Sequence, residues 1–450
     1  MKNQKKMRKR QAMAGILVLF SMEGMIGCGK QTDTKDLSAQ QSLPVSWQVF
    51  DLLVKDLDGD GRRDIVTVDH GENLAQLFYQ HSPRAFEAGP VFNGVGFHPG
   101  EMIDWAAERS LVVMGAEGSN AVRALNPDED EGFAVVSDVQ ARSPRQVRRF
   151  DWPGWGPSLA VSPYANGVLY LMRGYDPEKG TAQQVLDVRL SENANTIREA
   201  QRVTPVDIDG DGVTELLFVV PITGEVLAVK KPENDGEVPS VLTLFKRESW
   251  GMPNEVHALD LDADKDFDLL VPDETAPSQI NVLLNDGSGH FKLGYPIPFP
   301  GERGIYELRI GRDHDGRVLL FGAGPDRIAL YRLPGVWDGK SPLPEKMDDR
   351  TEDSMRSIGW DDDVAWDMDL TDVDGDGWLD GVLGRIAGKR NVWVVYGPLW
   401  DRFTALSATG FELKKEVNEQ HDGKKKRESD VDRAAARDPR HLKRRPAGGQ

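Results

Sequence analysis

The stretch Asp372-Val373-Asp374-Gly375-Asp376-Gly377-Trp378-Leu379-Asp380 decides the reading of this chain, because its spacing recurs three more times. The copies are Asp56-Leu57-Asp58-Gly59-Asp60-Gly61-Arg62-Arg63-Asp64, Asp207-Ile208-Asp209-Gly210-Asp211-Gly212-Val213-Thr214-Glu215 and Asp260-Leu261-Asp262-Ala263-Asp264-Lys265-Asp266-Phe267-Asp268. Carboxylates at positions 1, 3, 5 and 9 converge on one point when glycines at positions 4 and 6 let the backbone turn sharply. Such a nest of hard oxygens suits Ca2+, whereas Mg2+ demands stricter octahedral geometry and keeps more of its water. An ordinary solvated Asp-rich turn explains a single copy well, but it explains four copies in register poorly. An EF-hand would need a bidentate glutamate at position 12 and a helix on each side. Position 12 here is Thr67, Phe218, Val271 or Leu383, and each lies in a β-rich apolar run.

Working outward, each loop leads into a hairpin. Asp64-Ile-Val-Thr-Val turns at Gly71 into Leu74-Ala-Gln-Leu-Phe-Tyr, and Glu215-Leu-Leu-Phe-Val-Val turns at Gly224 into Val226-Leu-Ala-Val. The same pattern follows the loops at 260 and 372, and three further units keep the hairpin without the full acid set, starting at Asp104, Asp151 and Asp313. Seven units therefore begin at 56, 104, 151, 207, 260, 313 and 372. That period fits four-stranded propeller blades, none of which can bury its faces alone. The sequence thus predicts an all-β, seven-bladed β-propeller over 44–412, with calcium-binding loops between adjacent blade strands. Either residues 44–50 or residues 403–411 are expected to complete the last blade.

The formal charge of -18 is unevenly spread. Both ends are basic, so the acidity is concentrated in the body, where seventeen carboxylates lie in the four loops. An acidic body excludes nucleic acid as the natural partner. Residues 1–27 combine a basic start with a short apolar run, the plan of an export signal and too short for a spanning helix. Cys28, the chain's single cysteine, follows directly and resembles the lipidated cysteine of bacterial lipoproteins. That resemblance implies an exported protein held at the cell envelope by a lipid on Cys28, and the Gly29 that follows points to the outer membrane. Residues 28–43 read as a flexible tether, and 413–450 as a charged disordered tail.

The repeated loops and hairpins resemble the FG-GAP/VCBS repeat family, the calcium-loop propellers related to the N-terminal domain of integrin alpha subunits. The resemblance runs over roughly 44–410, with the specific motif intact in three units. It implies Ca2+ held by side chains 1, 3, 5 and 9 and by backbone carbonyl 7. In this chain those are Asp56, Asp58, Asp60, Arg62 and Asp64; Asp207, Asp209, Asp211, Val213 and Glu215; and Asp372, Asp374, Asp376, Trp378 and Asp380. The fourth set is Asp260, Asp262, Asp264, Asp266 and Asp268, where Ala263 and Lys265 replace both glycines. A left-handed backbone at Lys265 costs about 1 kcal/mol and its side chain adds positive charge near the site, so this loop is expected to be the weakest site.

Catalytic motifs are scarce: the eight histidines are scattered, with no His-Glu-x-x-His and no Gly-x-Ser-x-Gly elbow. Trp152 and Trp155 offer either an aromatic platform for a sugar or anchors for blade packing. The leading expectation is a non-catalytic, calcium-stabilised scaffold that binds an envelope or extracellular protein or glycan. The alternative is an extracellular polysaccharide lyase or hydrolase using the propeller's central mouth, which would require non-calcium ionisable groups converging at one end of the axis.

Overall fold

The computed structural model describes residues 39–408 apart from 70, 97–98, 107–109, 129, 165–166, 191–201, 222, 235, 248–250, 252, 254, 276–277, 302, 344–354, 360–364 and 386–390. Seven small antiparallel sheets form a ring, a seven-bladed β-propeller. The first strands of the blades are Val49–Lys55, Pro99–Ala106, Pro144–Trp152, Thr204–Val206, His257–Leu259, Glu307–Arg312 and Ala365–Thr371. These strands lie against one another around the axis, while later strands step outward. The fifth blade carries an extra short strand, Ile297–Pro298, on its third strand.

The strand patterns explain the ring. Glu215–Val220 is buried along its whole length, as a strand with a neighbour on each face must be. Alternation then sorts its side chains. Leu216, Phe218 and Val220 join a layer with Phe150, Trp152 and Leu171 of the third blade, while Leu217 and Val219 join a layer with Leu269 and Val271 of the fifth. One such layer fills each of the seven gaps between blades. Trp152 and Trp155 are both buried in the layer between blades three and four, packed edge to face at 4.8 Å, so they are packing anchors.

Closure differs from both expectations. The last blade is completed by Gln40–Pro44, which pairs antiparallel with Asn391–Val395 in the register Gln40↔Val395 to Pro44↔Asn391. The Tyr396 hydroxyl donates to Gln41 Oε1 at 2.7 Å and the Trp393 indole to Gln40 Oε1 at 3.2 Å. The closing strand therefore begins inside the segment read as a tether, and the propeller includes residues ahead of 44. The other candidate, 403–411, contributes instead to a helix, Leu399–Ala408, that buries Leu399, Trp400 and Phe403 against blades six and seven. The residues read as an export signal, Cys28 and those read as a tail lie outside the described residues.

Candidate metal centres

Each acidic loop joins the first and second strands of its blade, and its ninth residue opens the second strand: Asp64–Asp69, Glu215–Val220, Asp268–Pro272 and Asp380–Arg385. Backbone donors hold the acids in place. Asp372 takes the N–H groups of Gly375 at 2.8 Å and Gly377 at 2.9 Å on its two oxygens, and Asp56 does the same with Gly59 and Gly61. Those bonds require the left-handed turn that Gly375 and Gly377 make at φ 79° and 89°. The 260–268 loop makes the same turn without glycine, with Ala263 at φ 63° and Lys265 at φ 81°. The strain expected at Lys265 is therefore present.

The ninth carboxylate is a buckle between the loop and the third strand. Asp64 accepts from Leu57 N–H at 3.0 Å and Gln80 N–H at 3.0 Å, and Asp268 accepts from Leu261 at 3.3 Å and Asn285 at 2.9 Å. Asp380 accepts from Val373 at 2.7 Å and Gly397 at 2.6 Å.

The expected ligands come together only in part. Oxygens of Asp56, Asp58 and Asp64, of Asp207, Asp209 and Glu215, and of Asp372, Asp374 and Asp380 each lie within 4.8 Å of one another. In the fourth loop the triplet is Asp260, Asp262 and Asp264, without Asp268. The fifth acids Asp60, Asp211 and Asp376 fall outside their triplets and instead accept the N–H of the seventh residues Arg62, Val213 and Trp378 at 2.8, 2.7 and 2.9 Å. Asp266 stands likewise apart, donating its N–H to Asp264 at 3.1 Å.

The donor chemistry fits a hard cation. Every side chain in the triplets is a carboxylate, and Asp207 Oδ1, Asp260 Oδ1 and Asp266 Oδ1 are buried without a hydrogen-bond donor among the described residues, an arrangement that costs free energy unless a positive charge meets it. Burial, with neighbouring carboxylates adding to it, pushes Asp380 up to about 7 and Asp64, Asp266 and Asp268 up to about 6. Burial also raises Glu215, Asp58 and Asp262. In the incomplete units a cation of the chain meets the first acid: Arg332 lies 3.2 Å from Asp313, and Lys55 lies 3.5 Å from Asp104.

A second charged zone, which the reading of the loops passed over, lies on the axis. Arg202 Nη1 reaches Glu255 at 3.1 Å and also contacts Glu307, while its Nη2 is 3.7 Å from Asp367. Arg309 reaches Glu307 at 2.9 Å and Asp367 at 2.7 Å. His257 Nε2 stands 3.3 Å from Glu255. Two of these carboxylates and Asp51 hold the next blade: Glu255 accepts Leu308 N–H at 2.8 Å, Asp367 accepts Leu52 N–H at 2.8 Å, and Asp51 accepts Met102 N–H at 2.6 Å. Burial pushes Glu307 up to about 8, against the pull of both guanidiniums. Glu255 is held low despite its burial, because His257, Arg202 and Arg309 surround it. A sequence signal for this zone existed. Asp51, Arg202, Glu255 and Asp367 each stand five residues before the first aspartate of a complete loop.

No protein-family model matches the chain, and no curated protein is similar enough to it to count as a relative. The class defined by fold and site is therefore a seven-bladed β-propeller with, among the described residues, four acidic clusters able to hold metal ions.

Proposed function

We propose that this is a calcium-stabilised propeller of the FG-GAP/VCBS type, exported and anchored through a lipid on Cys28, that presents a rigid surface to another envelope protein or a glycan. The observation that carries the calcium reading is the recurrence of carboxylate triplets within 4.8 Å at the same strand junction of four blades. Gathering those charges costs a few kcal/mol per close pair at an effective dielectric near 20, and a bound divalent ion reverses the sign. The ion supplies positive charge where the fold concentrates negative charge, and the first, third and ninth acids, or the first, third and fifth in the 260–268 loop, would hold it.

The test is a melting curve of the full chain in Ca2+ and in excess chelator. A marked fall in Tm on chelation supports the reading, and superimposable curves would sink it. For the partner, an envelope pulldown with and without Ca2+ should recover one specific protein or glycan in the presence of the ion. Intact-mass comparison of wild type with Cys28→Ser should show the loss of an acyl group.

The second reading, an enzyme acting on polysaccharide, draws on the axial zone, where Glu307 is pushed up and Glu255 held low as in an acid and base pair. Against it, Glu255, Glu307 and Asp367 are at most 3% exposed and spend their oxygens on Arg202, Arg309 and backbone N–H groups. Such contacts describe an internal strut. Turnover of any member of a glycan panel that Glu307→Gln abolishes would decide for the enzyme.

A further inference from the structure

We propose that basic side chains in contact with the acids grade the four loops, so that the 260–268 loop, whose acids have none in contact among the described residues, takes a divalent cation first and the 372–380 loop takes it last. The proposal rests on the reading of these loops as cation sites. It concerns three basic side chains that the repeat pattern does not include.

In the seventh blade the cation comes from a neighbour. Arg84 lies in the turn between Leu74–Ser82 and Ala85–Asn93 of the first blade. Its Nε reaches Asp374 Oδ2 at 2.5 Å, its Nη2 reaches Asp376 Oδ2 at 3.3 Å, and its guanidinium lies 4.5 Å above the Tyr396 ring. Asp374, a member of the seventh-blade triplet, has a side chain only 3% exposed, so this ion pair is shielded from water on the acid's side. In the fourth blade Lys230 reaches Asp209 at 2.5 Å and Glu215 at 3.5 Å, both members of that triplet. In the first blade Arg62 pairs with Asp60, which is outside its triplet.

The 260–268 loop is different. Among the described residues no basic side chain pairs with any of its five acids, and Lys265 is no exception. Their partners are backbone N–H groups: Asp264 N–H for Asp262, Asp266 N–H for Asp264, and Leu261 and Asn285 for Asp268. A divalent ion arriving there meets carboxylates with no cation in contact, whereas at the 372–380 loop it meets a guanidinium already in contact with a ligand. The strained turn at Ala263 and Lys265 does not alter this order. That strain is carried by the fold itself, so it is a cost of folding rather than of ion binding.

The order is readable on the full-length, chelator-stripped protein. Calorimetric titration with CaCl2 counts and ranks the sites. Titration with TbCl3 reports the 372–380 loop through the part of the tryptophan-sensitised luminescence that Trp378→Phe removes, Trp378 being the seventh residue of that loop. We expect the tightest Ca2+ class to vanish in Asp262→Asn with Asp264→Asn, while the Trp378-dependent terbium step stays in place. Arg84→Gln should move that step to a concentration lower by about tenfold, a change of about 1.4 kcal/mol. Survival of the tightest class in the double variant overturns the order, and so does an unmoved step in Arg84→Gln. The two variants lie in different blades, so misfolding of one leaves the other decisive. Absence of any Ca2+ heat in wild type would refute the cation reading itself, a result distinct from a wrong order.

Discussion

The axial zone and the acidic loops both crowd carboxylates together, and they are compensated in opposite ways. On the axis, Glu255, Glu307 and Asp367 enclose Arg202 and Arg309 and also take backbone N–H groups from the next blade. In the loops, triplets of acids gather with at most one basic side chain in contact, and buried oxygens such as Asp260 Oδ1 have no donor. A cluster answered by its own chain is a fixed part of the fold. A cluster left in surplus makes stability depend on what the solution supplies.

The sharpest way to break this contrast is to remove the solution's contribution. On the calcium reading, each loop contributes about 2.7 kcal/mol when free ion stands at ~100 times its dissociation constant. Chelation should therefore produce the largest loss, visible as a fall in the denaturant midpoint with the slope unchanged. Next comes Arg202→Ala, which leaves buried carboxylates unanswered and should cost about 3–5 kcal/mol. That cost should be the same in Ca2+ and in chelator. If chelation changes it by more than the scatter of the fits, the two zones are coupled and the contrast fails.

Proton linkage gives a smaller effect. The Glu307 carboxyl is raised to about 8 in the fold, so between the ordinary carboxylate range and that value the folded state binds the extra proton. Its contribution is complete at acid pH and is lost as pH rises through about 8, at up to about 1.4 kcal/mol per pH unit. Measured in saturating Ca2+, so that the loop acids stay ionised, stability should fall from pH 5 to 8, and Glu307→Gln should flatten that slope. The smallest effect belongs to the 260–268 turn. Lys265→Gly relieves a backbone at φ 81° and should stabilise by about 1 kcal/mol or less, because glycine also loses more freedom on folding. A destabilised variant would mean that the lysine contributes something beyond its backbone.

The blades were legible because the second strand of four of them announces itself twice, in an apolar run and in the acidic loop beside it. Glu215–Val220 and Asp380–Arg385 begin where the ninth carboxylate stands. The closing strand hides because Gln40, Gln41 and Ser42 are polar, and only Leu43 is buried; its partner strand, rather than its own pattern, makes it a strand. The helix Leu399–Ala408 is short, but its apolar face, with Leu399, Phe403 and Leu406 spaced by four and three, was there to be read.

The site divides in the same way. Positions 1, 3 and 9 follow from spacing in three of the loops, because the turn geometry brings them together, while in the 260–268 loop position 5 takes the place of 9. Arg84 could not be read from spacing at all: 290 residues separate it from Asp374, and only closure of the ring makes them neighbours. The axial residues were hidden by the opposite error. A charge in an alternating strand reads as the solvent face, but in a propeller the first strand's remaining face looks onto the axis, where Arg202 and Glu307 are enclosed.

The closing strand has a mechanical consequence. Ala39 lies eleven residues after Cys28, so a lipid on that cysteine would keep the seam within ~40 Å of the membrane at full extension. Such an anchor would join the chain just ahead of the strand that completes the last blade. Any drag on the anchored protein would therefore be borne first by the backbone bonds between Gln40–Pro44 and Asn391–Val395, which places the load on the joint that keeps the ring closed.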